Sequence, residues 1–288
     1  MRFAKYHGTG NDFVLIEDVA DEFTLTAPLV AGVCDRRFGV GADGVIRIAP
    51  AAEGDFLMDY RNANGELAEM CGNGIRCLAK YAYDRGLTRE TRLLIETRAG
   101  MKPVTLNVEG DRVAAVRVDM GEPALARGAM PMAGAFEERF IEQPFMVDGT
   151  EYRATAVSMG NPHLVLFGAT DLDAIDLPRI GPMVEHHRDF PERTNVEFVR
   201  VQGGAVEARV WERGSGETMA CGTGGCAAFV ASNIAGLVGT EATVRFPGGT
   251  LRVEWAKDGR IYLTGPAVHV FDGELDPDAV VARAEAVR

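Results

Sequence analysis

Lysine is scarce in this chain. Four stand in 288 residues, Lys5, Lys80, Lys102 and Lys257, and none lies in a phosphate-cradling loop, which counts against an enzyme working through a pyridoxal phosphate Schiff base. Basic residues are outnumbered, 30 Lys and Arg against 42 Asp and Glu, for a formal net charge of -12. That balance lacks the electrostatic footprint of a nucleic-acid binder and would be repelled by an anionic membrane surface. Long apolar runs are missing too. Met1 to Phe13 mixes Arg2, Lys5 and His7 with glycines, and no segment reaches signal-peptide or transmembrane length, so the expected compartment is the cytosol. Cysteine is sparse and odd in number: five, with no Cys-x-x-Cys pair. A disulfide framework is not expected in so long a chain. The close pairs Cys71/Cys77 and Cys221/Cys226 open helices rather than zinc knuckles, so no structural metal is expected. The partner these exclusions leave is a small molecule.

What the chain does contain is a repeat. Met70-Cys71-Gly72-Asn73-Gly74 and Ala220-Cys221-Gly222-Thr223-Gly224 are near copies 150 residues apart, and the same offset superposes Gly10-Asn11 on Gly160-Asn161, Asn62 on Glu212 and Gly86-Leu87 on Gly236-Leu237. Read as an ungapped internal duplication, the chain divides into a repeat over 1–123 carrying Cys71, a Gly/Pro/Met-rich connector over 124–146, a repeat over 147–273 carrying Cys221, and a tail over 274–288.

Short apolar segments bounded by glycine, aspartate or proline predict strands. In the first repeat they are 14–16, 45–48, 56–58, 93–95, 104–106 and 113–118; the second echoes them at 164–167, 196–201, 205–211, 243–246, 251–255 and 261–263. The clearest helices follow the cysteine motifs, 75–85 and 225–235, each stopped by a glycine where a C-terminal cap belongs. The second is apolar almost all round and must be buried. A doubly wound parallel sheet would need a helix after nearly every strand. The expected fold is therefore α+β: two pseudo-symmetric repeats, each a mostly antiparallel sheet curled around a central helix.

Each motif cysteine stands before Gly-x-Gly and a helix, where unpaired N–H groups and the positive helix end favour a thiolate and can cradle a carboxylate. One such cysteine could be mere packing; two at equivalent positions suggest an acid and a base on opposite faces of one carbon. Cys34, Cys77 and Cys226 lack the glycine cradle and are assigned to packing. Asn11 and Asn161 occupy equivalent sites suited to turns. Where the first repeat has Phe13 and Asn62, the second has His163 and Glu212, ionisable groups able to bias which thiol is ionised. Arg213 enters the second cysteine loop and could grip a carboxylate with paired hydrogen bonds, or form a salt bridge to Glu212 or Glu217.

Taken in order, several motifs resemble the diaminopimelate epimerase family: His7-Gly8-x-Gly10-Asn11-Asp12-Phe13, Asn62-Ala63-Asn64-Gly65, Cys71-Gly72-Asn73-Gly74-x-Arg76-Cys77, Ser158-Met159-Gly160-Asn161-Pro162-His163, Glu212-Arg213 through Gly224, and Pro247-Gly248-Gly249. The resemblance implies a cofactor-independent epimerase that interconverts LL- and meso-diaminopimelate in lysine and peptidoglycan precursor synthesis, with Cys71 and Cys221 as catalytic base and acid. It further implies substrate contacts from Asn11, Asn62, Asn161, Asn195, Glu212 and Arg213, a carboxylate held by Gly72-Asn73 and Gly222-Thr223, and thiols tuned by His163 and Glu212. It leaves a homodimer open. Where some members carry a glutamine contact, this chain has Gly44. Two rivals differ in kind. A proline or hydroxyproline racemase would share the two-thiol logic but needs no second polar end, and a two-lobed amino-acid-binding protein has no use for paired thiols.

Overall fold

The computed structural model describes residues 1–286. The described residues form two compact units, one of residues 1–118 with 265–286 and one of residues 119–264. In the first, β1 (Arg2–Gly8) and β2 (Asn11–Glu17) form a hairpin, followed by α1 (Ala27–Cys34), β3 (Gly44–Ala49) and β4 (Phe56–Asn62). Then come α2 (Gly72–Asp84), β5 (Arg92–Thr97), β6 (Gly100–Glu109) and β7 (Arg112–Gly121). The second unit runs β8 (Gln143–Val147), β9 (Thr150–Ser158), β10 (Pro162–Phe167), α3 (Leu177–Glu185), β11 (Asn195–Gln202) and β12 (Ala205–Glu212). It continues with β13 (Gly216–Thr218), α4 (Gly222–Ile234), β14 (Glu241–Phe246), β15 (Gly249–Trp255) and β16 (Ile261–Gly265). β17 (Val268–Glu274) and α5 (Pro277–Ala286) belong to the first unit again.

The units have the same topology. Strands are ordered β17-β1-β2-β3-β4-β5-β6-β7 in one and β8-β9-β10-β11-β12-β14-β15-β16 in the other. In each, the pairings are antiparallel except at two matching places, β2–β3 and β4–β5 against β10–β11 and β12–β14. α2 and α4 each lie against strands from across their own sheet. α4 touches β9, β10, β11, β12, β14 and β15, and α2 touches β1, β2, β3, β6 and β17. Only a sheet curled round its helix brings such distant strands to one helix, which is the expected α+β architecture. It also explains the apolar sequence of α4: Phe229 and Val230 are both 0 % exposed, and burial of each such side chain is worth about 1.5 to 3 kcal/mol.

Both central helices end alike. Gly86 and Gly236 have φ of 79° and 69°, and the paired bonds Gly86 N to Tyr83 O with Leu87 N to Ala82 O recur as Gly236 N to Asn233 O with Leu237 N to Ser232 O. The left-handed glycine lets the last carbonyls be satisfied by the turn that follows.

Packing draws boundaries elsewhere than the repeat does. The stretch expected to be a connector supplies buried Met130, Met132, Phe140 and Phe145 to the core of the second unit, with Leu164, Leu166 and Phe198. β17, whose residues 268–273 were expected in the second repeat, pairs with β1 in the first unit. The expected tail includes α5; Leu275 just before it and Val280 and Val281 within it pack on the cluster of Val30, Val33 and Val45. The repeat is also not ungapped. Phe13 pairs with Gly44 whereas His163 pairs with Asn195, so β11 is displaced by one more residue than its neighbours.

Candidate active site

In the first unit Cys71 is the N-cap of α2, with extended backbone (φ -135°, ψ 117°), and its Sγ accepts from Gly74 N at 3.5 Å. The helix therefore starts one residue after the thiol, not after both glycines as the sequence suggests. Sγ sits where the free N–H groups of the first turn and the helix dipole favour negative charge. Asn11, at the β1–β2 turn, is 3.6 Å from Sγ through Oδ1, which also accepts from Asn73 Nδ2 at 3.1 Å. Asn11 Nδ2 in turn donates to Asp43 Oδ2 at 2.7 Å. Arg76, 0 % exposed, clamps the loop from beneath by donating to Gly72 O, Asn73 Oδ1, Thr9 Oγ1 and Pro266 O.

The second unit repeats the device with different surroundings. Cys221 caps α4 (φ -120°, ψ 126°) and accepts from Gly224 N at 3.3 Å. Thr223 Oγ1 lies 3.4 Å from Sγ and accepts from Asn161 Nδ2 at 3.3 Å. Asn161 Oδ1 faces His163 Nε2 at 3.0 Å, and His163 Nδ1 faces Glu197 Oε1 at 2.7 Å. Burial pushes the Cys221 thiol well above the ordinary range; Glu212 and Glu197 push the same way, against hydrogen bonds from Thr223 and Gly224. Burial raises the Glu212 carboxyl as well, opposed by hydrogen bonds with Thr218 and Cys221. Two carboxyl groups thus lie close enough to act on the Cys221 thiol.

A model of the diaminopimelate epimerase family matches residues 3–126 and 155–270, which include both thiol loops. A diaminopimelate epimerase of Pelotomaculum thermopropionicum is 48% identical over 277 residues, covering 95% of this chain and 98% of the relative. One from Methanococcus maripaludis is 43% identical over 278 residues, covering 96% and 100%. This chain belongs to the diaminopimelate epimerase family. The fold extends more widely. A probable proline racemase from Agrobacterium radiobacter superposes with a TM-score of 0.71 at 15% identity, covering 97% of this chain and 95% of that one. A PhzF-family phenazine biosynthesis protein from Bacillus anthracis gives 0.69 at 17% identity, covering 96% and 99%.

Other residues that the family resemblance singles out fall into two groups. Asn62, at the end of β4, and Arg213, after β12, keep their side chains partly or largely exposed. Arg213 forms neither suggested salt bridge: Glu217 pairs with Arg209, and Arg213 donates to the backbone carbonyl of Glu192 at 3.3 Å. Asn195, by contrast, is 4 % exposed and ties segments together, donating to Pro162 O and accepting from Arg213 N. It therefore fixes the backbone that presents Arg213. Glu185 does the same, accepting from Gly214 N and Trp211 Nε1. Cys34 and Cys77 are buried, and burial pushes each thiol up to about 12, so neither supplies thiolate at neutral pH.

At Gly44, where the resemblance implies a glutamine in some members, the space for a side chain is taken. A Cβ there would lie 2.5 Å from Arg61 O and 2.6 Å from the Tyr60 ring. Gly44→Gln should cost about 1 to 3 kcal/mol by overpacking, lowering Tm by roughly 2 to 4 °C per kcal/mol for a chain of this size. Calorimetry that found an unchanged Tm would show that Tyr60 moves aside freely.

The sequence reading missed Glu197, Asp43 and the clamp made by Arg76. The only sequence signal for Glu197 is one acid inside the apolar run Asn195 to Val201.

Proposed function

We propose that this chain interconverts LL- and meso-diaminopimelate by proton transfer at one α-carbon, with Cys71 and Cys221 taking opposite roles. Family membership supports the substrate. The observation that carries the mechanism is that both thiols cap a helix N-terminus and accept from the third residue's N–H, a placement that Cys34, Cys77 and Cys226 lack.

In the forward direction a thiolate removes the α-hydrogen, forming an S–H bond while the C–H electron pair passes to the carbon and its carboxylate. The other thiol then delivers its proton to the opposite face and becomes the thiolate. Atoms and charge balance, and the thiols have exchanged states. Burial beside two carboxylates favours the protonated form of Cys221, and we assign Cys71 as the base that starts the cycle. No cofactor delocalises the carbanion, so the stabilisation must come from fixed dipoles. We assign this to the N–H groups of Gly72-Asn73 and Gly222-Thr223, with Asn11 and Asn161 aligning the reacting end. Asn62, Asn195, Glu212 and Arg213 are assigned to the distal end, and His163 with Glu212 to the proton balance of Cys221. No helix among the described residues is long and apolar enough to cross a membrane; we place the enzyme in the cytosol.

The test is isotopic. In deuterium oxide, early product should carry deuterium at the inverted carbon while recovered substrate stays unlabelled, because the abstracting thiol holds the substrate's own proton. Comparable label in both pools would mean one base serving both faces and would end the two-thiol reading.

A further inference from the structure

The second unit buries a carboxyl group whose place in the mechanism above is only its nearness to Cys221. Glu197 is 0 % exposed, and its Oε2 has no hydrogen-bond partner among the described residues. Burying a carboxylate is costly unless it is paired, and the pairing here is with His163, also 0 % exposed, at 2.7 Å. The fold does not demand this pair. In strand register the first unit has Phe13 in place of His163 and Ile46 in place of Glu197, both 0 % exposed. The thiol loops confirm the equivalence: a Cβ on Gly74 would lie 2.7 Å from Ile46 Cδ1, and one on Gly224 would lie 2.5 Å from Glu197 Oε1. An apolar pair fills the space in one half, so the ionic pair in the other persists against a stability cost.

From His163 the bonds lead to the thiol. Nε2 meets Asn161 Oδ1 at 3.0 Å, Asn161 Nδ2 donates to Thr223 Oγ1 at 3.3 Å, and that oxygen is 3.4 Å from Cys221 Sγ. Both ring nitrogens face oxygen atoms, an arrangement that a ring carrying a proton on each nitrogen would satisfy at both ends. The titratable groups around the ring are Glu197 on β11, Glu212 on β12 and Cys221 ahead of α4.

We propose that Glu197 is a positioning residue: it anchors the doubly protonated His163 ring through Nδ1–H, so that Nε2–H orients the Asn161 carboxamide and, through it, Thr223 beside Cys221. The effect on turnover rests on the epimerase reading; the state of the ring does not.

Nitrogen-detected NMR of the imidazoles at pH 7, with His163 assigned by its loss in His163→Gln, should show both His163 nitrogens protonated. In Glu197→Gln the carboxylate facing Nδ1 is replaced by a neutral amide, and the spectrum should show only one protonated His163 nitrogen. kcat/KM for LL-diaminopimelate should fall roughly 10- to 100-fold, the scale of a misplaced reacting group, and its pH profile should shift. A ring singly protonated in the wild type, or a Glu197→Gln enzyme within twofold of wild type with an unmoved profile, would overturn the proposal. His163→Phe/Glu197→Ile recreates the first unit's pair and guards against misfolding of the single variant. It should melt no lower than wild type yet lose at least about 100-fold in kcat/KM, and near-normal turnover would overturn the proposal. A wild type that fails to epimerise diaminopimelate would instead refute the functional reading and leave the ring experiment standing.

Discussion

Cys71→Ala and Cys221→Ala should each all but abolish epimerisation. Inversion needs a base on one face and an acid on the other, and either variant lacks one of them in both directions. General acid–base groups typically contribute 10²- to 10⁴-fold, so kcat/KM should fall by roughly 10³-fold or more in each. A sharper signature lies in exchange. With one thiol left, each variant should wash solvent deuterium into at most one stereoisomer without converting it to the other. Cys34→Ala and Cys77→Ala are the controls, since those thiols are buried and stay protonated at neutral pH; they should lose stability rather than chemistry. Either motif variant retaining a tenth of wild-type activity would sink the assignment.

The second large effect concerns selectivity. Arg213 is exposed and its guanidinium donates to the backbone carbonyl of Glu192, which leaves it the capacity to take a distal carboxylate with two parallel bonds. Hydrogen bonds to charged groups are worth about 1.5 to 3 kcal/mol, and each 1.36 kcal/mol is roughly tenfold in rate. Arg213→Met should therefore lower kcat/KM for diaminopimelate by roughly ten- to a hundredfold with the fold intact. Lysine, which has the reacting end but no distal carboxylate, should be a correspondingly poor substrate for the wild type and should lose little further in the variant. A folded Arg213→Met enzyme with normal kcat/KM would assign the distal carboxylate to other groups.

Much of the architecture could be read from the chain because local signals agreed with the fold. The alternation in Val113 to Val118 and the glycines closing α2 and α4 name their elements without tertiary help. α3 escaped because Gly181 and Pro182 interrupt it, residues that argue against a helix in isolation. β17 escaped because it is exposed along nearly its whole length, so no buried face imposes a period on it. Glu197 was hidden for the opposite reason. In Val196-Glu197-Phe198 the alternation reads as an outward-facing acid, yet β11 is buried on both faces over Asn195–Val199, as strands with a parallel neighbour tend to be. The thiols could be found from repetition, and His163 and Glu212 from the contrast between the halves; Glu197 could not, because β11 is shifted by one residue from the repeat offset.

That one-sidedness bears on the ancestry of the fold. Two separate copies of an identical half would share every residue, so any change made to restrain one thiol would restrain both. Once the halves lie in a single gene, His163 and Glu197 can arise in one while Phe13 and Ile46 stay in the other. Covalent fusion thus supplies what self-assembly cannot: two equivalent sites free to diverge, so that an acid and a base can be written into sequence rather than left to chance protonation.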